Sequence, residues 1–274
     1  MITSLIGPRG RLGNQMFQYA ALIGIATKQG FEYGIDYQRG DLKTWREFPV
    51  DNTFNLMSID KSFNLSAKSC VPQYPSCIES NSEFHFQERF FRCGDNVELQ
   101  GYFQTEKYFK HCQDQIRKEF TFKPDIVEEA KKFLSDKSSR ETISVHIRRG
   151  DYVTTAPWHG VCESSYYEKA VATYFSDKPY NFIVITDDVS WAKKNIAKND
   201  NIHVCDVGNQ YLDLCIMSIC DHNIIANSSF SWWASWLNTN PNKKVVAPKA
   251  WFNPTQHLAS LNTKDLYQSD WMVI

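Results

Sequence analysis

The chain has 274 residues, of which 42% are hydrophobic and 22% charged, with 30 basic against 31 acidic side chains. This composition excludes an intrinsically disordered chain, and the length suits two domains of about 100–150 residues or one large domain. A net charge of −1 gives no general electrostatic reason to expect nucleic acid or an anionic membrane surface as a partner.

The eight cysteines have spacings that fit neither a zinc site nor a Cys-x-x-Cys pair, which argues against metal binding by thiolates. The first residues form too short an apolar run for a signal peptide, and no apolar stretch reaches the roughly 18 residues of a transmembrane helix. The even number of cysteines leaves disulfides open as an alternative, but we expect free thiols and a cytoplasmic protein without a membrane-spanning segment. Peripheral contact with the inner membrane stays open.

The first half of the chain opens with a predicted strand at 2–6, a glycine-rich turn, and a buried helix over 14–26. A second strand is predicted at 31–36. The region 40–95 has no sustained periodicity and is expected to be rich in loops with short elements. The remaining predicted elements of this half are one strand and two helices, at 97–103, 105–118 and 124–135.

From residue 142 onward strands alternate with helices, which is typical of βαβ units and a parallel sheet. The predicted strands are 142–147, 181–186, 201–205, 222–226 and 243–247. The predicted helices are 164–176, 189–198, 209–220 and 230–238. We place a boundary near residue 137, which gives an N-terminal α/β domain over 1–137 and a C-terminal one over 138–274.

Two arginines directly follow the strand at 142–147. Ligands of open parallel sheets bind beyond the carboxyl ends of the strands, so residues at these positions are candidates for a site. Arg148 and Arg149 can each form two hydrogen bonds to a phosphate, and their alternative is to pair with carboxylates such as Asp151. His146 lies on the strand itself, where a buried histidine with satisfied hydrogen bonds is the alternative to a ligand contact.

Polar residues also follow the strand at 222–226, where a helix begins. Asn227 and Ser228 are typical helix caps, and backbone N–H groups at a helix start bind anions. Capping alone would also explain both residues. The helix behind them contains three tryptophans that are expected to pack a core rather than bind sugar, Trp232, Trp233 and Trp236.

Two more features are candidates for ligand contacts. Asp213 lies among apolar residues of a helix and needs a partner, either a helix cap or the amine edge of a nucleotide base. The turn Gly10–Gln15 lacks both the GxGxxG pattern and a Walker lysine, which excludes a dinucleotide or P-loop site. Its glycines permit close approach of a ligand, or simply a tight turn. Together these features suit a cleft between two α/β domains with a diphosphate donor on one side.

Four segments, in this order along the chain, resemble the motifs of the α-1,2-fucosyltransferases of glycosyltransferase family 11. They are Gly10–Gln18, Gly101–Phe109, His146–Tyr152 and Asn227–Trp233. The sequence is more remotely similar to the α-1,6- and protein O-fucosyltransferases. One position departs from the family pattern, because Arg11 replaces the second glycine of the usual Gly-Gly-Leu-Gly-Asn-Gln.

The resemblance implies a GT-B-like fold, with two Rossmann-like α/β domains facing a cleft. It implies inverting transfer of L-fucose from GDP-β-L-fucose to the 2-hydroxyl of a terminal β-galactoside, with no required metal or other cofactor. Arg148 would hold the β-phosphate and support the departing GDP. His146 and Asp213 would contact guanine, and Ser228 and Ser229 the pyrophosphate. The other residues expected at the donor are Arg149, Asn227 and Phe230, and those expected on the acceptor side are Gly13, Asn14 and Gln15.

The general base of such a transfer stays open. Asp151 is the candidate, and its alternative role is to orient Arg148 or Arg149. Asp187 and Asp188 are adjacent carboxylates that point apart on an extended chain, so we expect a helix cap and a nucleotide contact there rather than a metal site.

Several competing functions remain. A glycoside hydrolase or a carbohydrate-binding protein would have no use for a phosphate site made of arginines and a helix start. A transferase for another nucleotide sugar, or a fucosyltransferase of another linkage or acceptor, would share that site.

Overall fold

The structure is a computed structural model that describes residues 1–4, 6, 10–35, 63, 65–69, 75–79, 84–137, 139–154, 159–255 and 260–274. Its internal contacts divide the chain into two compact units. The first unit comprises Met1–Thr121 and Leu261–Gln268, and the second comprises Phe122–Ser260 and Ser269–Ile274.

The first unit is built on a five-stranded sheet in which all strand pairs are parallel. Its strands are β1 (Ile2–Ser4), β2 (Tyr33–Ile35), β3 (Lys68–Ser69), β4 (Ser76–Ile78) and β5 (Glu98–Gln100). Their spatial order is β3-β2-β1-β5-β4, so that β1 lies at the centre. Most of the region 40–95 lies outside the described residues.

The long helix α1 (Leu12–Gln29) is buried over almost its whole length, as expected for a helix that is apolar on most sides. Gly24 lies where two 3₁₀ turns, Glu106–Tyr108 and Lys110–Cys112, pack on α1. A Cβ atom at Gly24 would lie 2.1 Å from the backbone oxygen of Tyr108. The helix therefore needs a residue without a side chain at this position.

The single helix predicted at 105–118 is wrong. The two 3₁₀ turns occupy its first half, and only α2 (Gln113–Glu119) is α-helical. The side chain of Thr105 accepts a hydrogen bond from the backbone N–H of Lys107, which closes the first 3₁₀ turn. The backbone leaves the helical region at Phe109 and Cys112, which separates the turns from α2.

The second unit holds a six-stranded parallel sheet with the spatial order β11-β10-β9-β6-β7-β8. Its strands are β6 (Thr142–Ile147), β7 (Asn181–Thr186), β8 (Ile202–Val204), β9 (His222–Ile224), β10 (Val245–Ala247) and β11 (Met272–Val273). Its helices are α3 (Pro124–Leu134), α4 (Gly150–Thr154), α5 (Ser164–Tyr174), α6 (Val189–Asn195), α7 (Gln210–Ile219) and α8 (Ser229–Leu237).

The alternating strands and helices predicted from residue 142 onward are confirmed. The predicted bounds of β6 and β7 agree with the structure residue for residue, and every residue of β6 is buried. β7 contains a continuous apolar run, Phe182–Ile185, whereas β6 alternates polar with apolar residues, and both patterns favour a strand. The short elements α4 and β11 were not predicted, since neither is long enough to show a periodicity.

The division between the units falls between Thr121 and Phe122, before the expected boundary at residue 137. Helix α3 accounts for the difference. It buries Ile126, Ala130 and Leu134 on one face and packs against α7 of the second unit. Near the C-terminus, Asp265 joins the first unit by accepting hydrogen bonds from Lys107 Nζ at 2.6 Å and from the Phe86 N–H at 3.2 Å.

All seven cysteines among the described residues are free thiols. Among the described helices, none has the length and apolarity needed to cross a membrane.

Replacing Gly24 by alanine is expected to destabilise the first unit by about 1–3 kcal/mol, because the new Cβ would collide with the Tyr108 carbonyl. The higher helix propensity of alanine is worth only about 1 kcal/mol and would not offset the collision. Denaturant unfolding of Gly24→Ala measures the loss. Gly94→Ala is the matched control, because no atom lies within 4 Å of the Cβ position there. Equal stability of both variants would contradict the account of the packing.

Candidate active site

Arg148 lies directly beyond β6 and is held between two carboxylates. Its Nη1 is 2.7 Å from Asp187 Oδ2, and its Nη2 donates to Asp151 Oδ1. Because β6 and β7 are neighbouring parallel strands, their carboxyl ends bring Arg148 and Asp187 together. The Arg148 side chain is only 16% exposed, so the guanidinium has a defined position before any ligand binds.

Asp187 also fixes the backbone of the turn between β6 and α4. Its Oδ1 accepts hydrogen bonds from the N–H groups of Arg149 at 2.8 Å and Gly150 at 3.0 Å. A Cβ atom at Gly150 would lie 2.5 Å from Asp187 Oδ2, so the carboxylate fills the space of a side chain there. Asp187 thus caps a helix, as predicted, but the helix is α4 rather than the one that follows Asp187 in sequence.

Arg149 points to a different partner. Its Nε is 3.2 Å from Asp188 Oδ2, and its guanidinium lies 4.0 Å from the centre of the Trp191 ring. Asp188 Oδ1 accepts from the backbone N–H of Trp191 at 3.1 Å and so caps α6. Both arginines therefore form ion pairs, which is the alternative to a phosphate contact.

His146 is buried on β6, and its Nδ1 lies 2.8 Å from Ser231 Oγ in α8. Its ring centre is 5.6 Å from that of Phe230. Burial, reinforced by the charge of Arg148, lowers the pKa of His146 to about 3. The imidazole is therefore neutral, with one ring nitrogen committed to Ser231.

Asn227 holds loops together instead of capping α8, so the capping interpretation of this residue is wrong. Its Nδ2 donates to the carbonyl oxygens of His159 at 3.0 Å, Gly160 at 3.1 Å and Trp251 at 3.0 Å. Ser228 occupies the N-cap position of α8, but among the described residues its hydroxyl makes no capping hydrogen bond. The first turn of α8 therefore has no side-chain cap at Ser228.

Tyr152 connects the two strand ends. Its hydroxyl donates to the Asn227 carbonyl at 3.2 Å, and its ring centre lies 5.3 Å from the Arg148 guanidinium. The structure thus brings Arg148, Asp151, Asn227 and the start of α8 into one neighbourhood.

Asp213 lies on α7 and has a thiol as its partner. Cys205 Sγ donates to Asp213 Oδ1 at 3.4 Å. Burial raises the pKa of Asp213 to about 6, against the weaker opposite effect of the Cys205 hydrogen bond. This carboxylate is poorly compensated within the protein, which is typical of a group that meets a ligand.

The residues expected on the acceptor side lie in the first unit, at the start of α1. Gly10 has a φ of 137°, and a Cβ atom there would lie 2.1 Å from Asn14 Nδ2, so the Asn14 amide occupies the space that only glycine leaves. Asn14 Oδ1 accepts from Gln104 Nε2 at 2.7 Å, and Gln15 Nε2 donates to the Gly10 carbonyl at 3.3 Å. Gly13 is buried in the first turn of α1.

Three residues of these sites were not singled out from the sequence for the contacts they make. Asp187 and Asp188 were expected only as a cap and a nucleotide contact, yet they hold the two arginines. Gln104 lies inside a recognised motif, but its contact with Asn14 joins residues 90 positions apart and leaves no local pattern. Among the described residues, no group of three or more His, Cys, Asp or Glu side chains converges on a common point.

The second unit is a parallel sheet with a fixed arginine beyond one strand and a helix start beyond another. These features define it as a nucleotide-binding type of α/β domain. The family profile of Glycosyl transferase family 11 matches residues 76–274. The chain belongs to this family.

Three related proteins are similar over most of the chain. An alpha-1,2-colitosyltransferase of Escherichia coli is 30% identical over 97% of this chain and 96% of that protein. The O-antigen biosynthesis glycosyltransferase WbnK of Escherichia coli is 32% identical over 96% of this chain and 97% of that protein. Galactoside alpha-(1,2)-fucosyltransferase 1 of Ateles belzebuth is 28% identical over 86% of this chain and 65% of that protein.

Solved structures show the same fold. Fucosyltransferase NodZ from Bradyrhizobium superposes with a TM-score of 0.53 at 13% identity, covering 86% of this chain and 93% of that one. POFUT1, in complex with GDP-fucose, superposes with a TM-score of 0.51 at 13% identity, covering 90% and 97%. The expected GT-B-like fold is confirmed.

Asp213→Asn is expected to change how stability depends on pH. The folded wild type keeps the Asp213 proton up to about pH 6, whereas the unfolded chain releases it near pH 3.9. Between these values the folded state binds more protons, so this group makes the wild type less stable as pH rises. Asparagine cannot ionise. The stability advantage of the variant should therefore grow by about 1–3 kcal/mol between pH 4 and pH 7.

Denaturant unfolding at several pH values measures this advantage. Asp200→Asn, at an exposed position of the same unit, is the matched control. An advantage of Asp213→Asn that stays constant with pH would show that the carboxyl is not perturbed in the fold.

Proposed function

We propose that this chain transfers L-fucose from GDP-β-L-fucose to the 2-hydroxyl of a terminal β-galactoside, with inversion at the anomeric carbon. The observation behind the proposal is Arg148, fixed between Asp151 and Asp187 beyond β6. It stands in a chain whose relatives include an alpha-(1,2)-fucosyltransferase. The alpha-1,2-colitosyltransferase among the relatives supports a second candidate, transfer of a colitosyl group by the same site.

The reaction breaks the bond between the sugar and the β-phosphate, so negative charge develops on GDP and positive charge on the sugar ring. Arg148 would stabilise the phosphate charge together with the backbone N–H groups at the start of α8. A hydrogen-bond donor that is already in place acts without reorganisation. One such group typically stabilises the transition state by about 3–4 kcal/mol. These groups would supply positive charge that a divalent metal supplies in other transferases.

The base of the donor would be recognised by His146 and Asp213. Guanine presents an amino group and a ring N–H on one edge, and a carboxylate can accept from both. Uracil and cytosine do not present that pair, so the carboxylate favours GDP over UDP and CMP. Because the Asp213 pKa is raised to about 6, the affinity for GDP should weaken as the pH falls below that value.

The remaining donor residues have distinct tasks in this proposal. Ser228, Ser229 and Phe230 would bind the pyrophosphate at the start of α8, and Arg149 would contact the donor beyond the end of β6. Asn227 keeps the neighbouring loops in place through its three carbonyl contacts. In the first unit, Gly13, Asn14 and Gln15 would meet the acceptor.

Asp151 has two roles open in this reaction. As general base it would take the proton of the acceptor hydroxyl, and as a positioning residue it would hold Arg148. Its direct contact with Arg148 supports the positioning role, because a base must lie on the side of the sugar opposite the leaving phosphate.

Binding and turnover test the function in two steps. GDP should raise the unfolding temperature, and UDP and CMP at equal concentration should not. Release of GDP from GDP-fucose should then require a β-galactoside acceptor, and the product should carry an α-1,2 linkage. GDP-colitose tested in parallel distinguishes the two donor sugars. Stabilisation by UDP alone would point to another class of transferase, and release of free fucose from fucosides without GDP would point to a hydrolase.

Arg148→Ala should reduce kcat at least about 100-fold, because it removes the group that stabilises the departing phosphate. Arg140→Ala, at an exposed arginine of the same unit, is the matched control and should retain activity. Steady-state kinetics with GDP-fucose measures both, and thermal unfolding checks that Arg148→Ala is folded. Wild-type turnover by a folded Arg148→Ala would overturn the phosphate role.

A further inference from the structure

His159 lies next to the candidate site but belongs to none of the sequence motifs. Its imidazole stacks on the Tyr152 ring with a centroid distance of 4.6 Å and an interplanar angle of 9°. Tyr152 in turn lies 5.3 Å from the Arg148 guanidinium. The imidazole is therefore one aromatic ring away from the group that would hold the leaving phosphate.

The backbone of His159 is held by the loop that precedes α8. The Asn227 side chain donates to the carbonyls of His159 and Gly160 at 3.0 and 3.1 Å. The same nitrogen also donates to the Trp251 carbonyl. A motif residue thus fixes the backbone that carries the imidazole.

The imidazole is suited to accept a proton. Burial lowers the pKa of His159, so the ring is neutral near pH 7. Two charged groups act on it, Asp151 raising the pKa and Arg148 lowering it, while the ring of Phe252 packs at 6.0 Å and carries no charge. Within the described residues, no hydrogen bond engages either ring nitrogen, so the group is not committed to a structural partner.

We infer that His159 is the general base of the transfer, which places it in the reaction of the proposed function. A ring nitrogen of His159 takes the proton of the acceptor hydroxyl while the hydroxyl oxygen forms the new bond to the anomeric carbon. The bond between that carbon and the β-phosphate oxygen breaks, and its electron pair leaves with GDP. The imidazolium then returns its proton to water.

Position favours His159 over Asp151 for this task. In an inverting transfer the hydroxyl and the leaving phosphate lie on opposite sides of the anomeric carbon. Asp151 contacts Arg148 directly and so belongs to the phosphate side. The His159 imidazole is separated from Arg148 by the Tyr152 ring and so lies further from the phosphate side.

The experiment compares His159→Gln and His159→Ala with the wild type, using GDP-fucose and a β-galactoside. Loss of a general base typically costs about 100- to 10,000-fold in rate, so kcat should fall by at least about 100-fold. The acidic limb of the kcat profile against pH should disappear in His159→Gln. Added imidazole should restore part of the activity of His159→Ala. His203→Gln, the same substitution on β8, is the matched control and should retain activity.

GDP affinity separates a base from a structural residue. Both His159 variants should bind GDP as the wild type does, because the imidazole acts on the acceptor hydroxyl. A fall in GDP affinity as large as the fall in rate would overturn the inference. So would unchanged kcat, or an acidic limb that survives in His159→Gln but disappears in Asp151→Asn. Absence of any sugar transfer by the wild type would instead refute the proposed function itself.

Discussion

The site depends on one constraint, the contact of Asp187 with the turn that follows β6. A single carboxylate accepts two backbone N–H groups and pairs with Arg148, and it does so in space that Gly150 leaves empty. The parallel register of β6 and β7 brings the two strand ends together without any further folding. An arginine fixed in this way loses little conformational freedom when a phosphate arrives. In the proposed reaction this arginine would therefore be ready to stabilise the transition state.

The same contact explains what could and could not be predicted from the sequence. The strands at 142–147 and 181–186 were predicted because the first alternates apolar with polar residues and the second contains a continuous apolar run. Arg148 was a candidate because it follows one of them. Asp151 was named as a possible partner of Arg148, but the second partner, Asp187, could not be chosen over Asp188, because the contact depends on the register of β6 and β7. The capping interpretation of Asn227 failed for a related reason, because an asparagine before a helix looks like a cap whatever its side chain contacts.

Local patterns failed where a distant contact decided the structure. The 3₁₀ turns after Thr105 fit against Gly24 of α1, about 80 residues earlier in the chain, and helix α3 belongs to the second unit because its apolar face meets α7. The Gly10, Asn14 and Gln104 contacts are of the same kind. A motif shows that these residues belong together without showing which atoms meet. The structure supplies that step for each unit separately.

Burial shifts the pKa values of the two groups expected at guanine, His146 and Asp213, in directions that suit this nucleotide base. His146 is neutral because its pKa falls to about 3. The pKa of the Asp213 carboxyl rises to about 6, so this group is more easily protonated than an ordinary aspartate. A charged histidine beside Arg148 would add repulsion, and among the described residues the hydrogen-bond partner of the Asp213 carboxylate is the Cys205 thiol. A nucleotide base that offers two N–H groups would compensate the charge of Asp213 and favour the ionised carboxylate. In the proposed function the cost of burying Asp213 in the free protein would thus be the source of its selectivity, because a ligand with donors in that place would recover this cost.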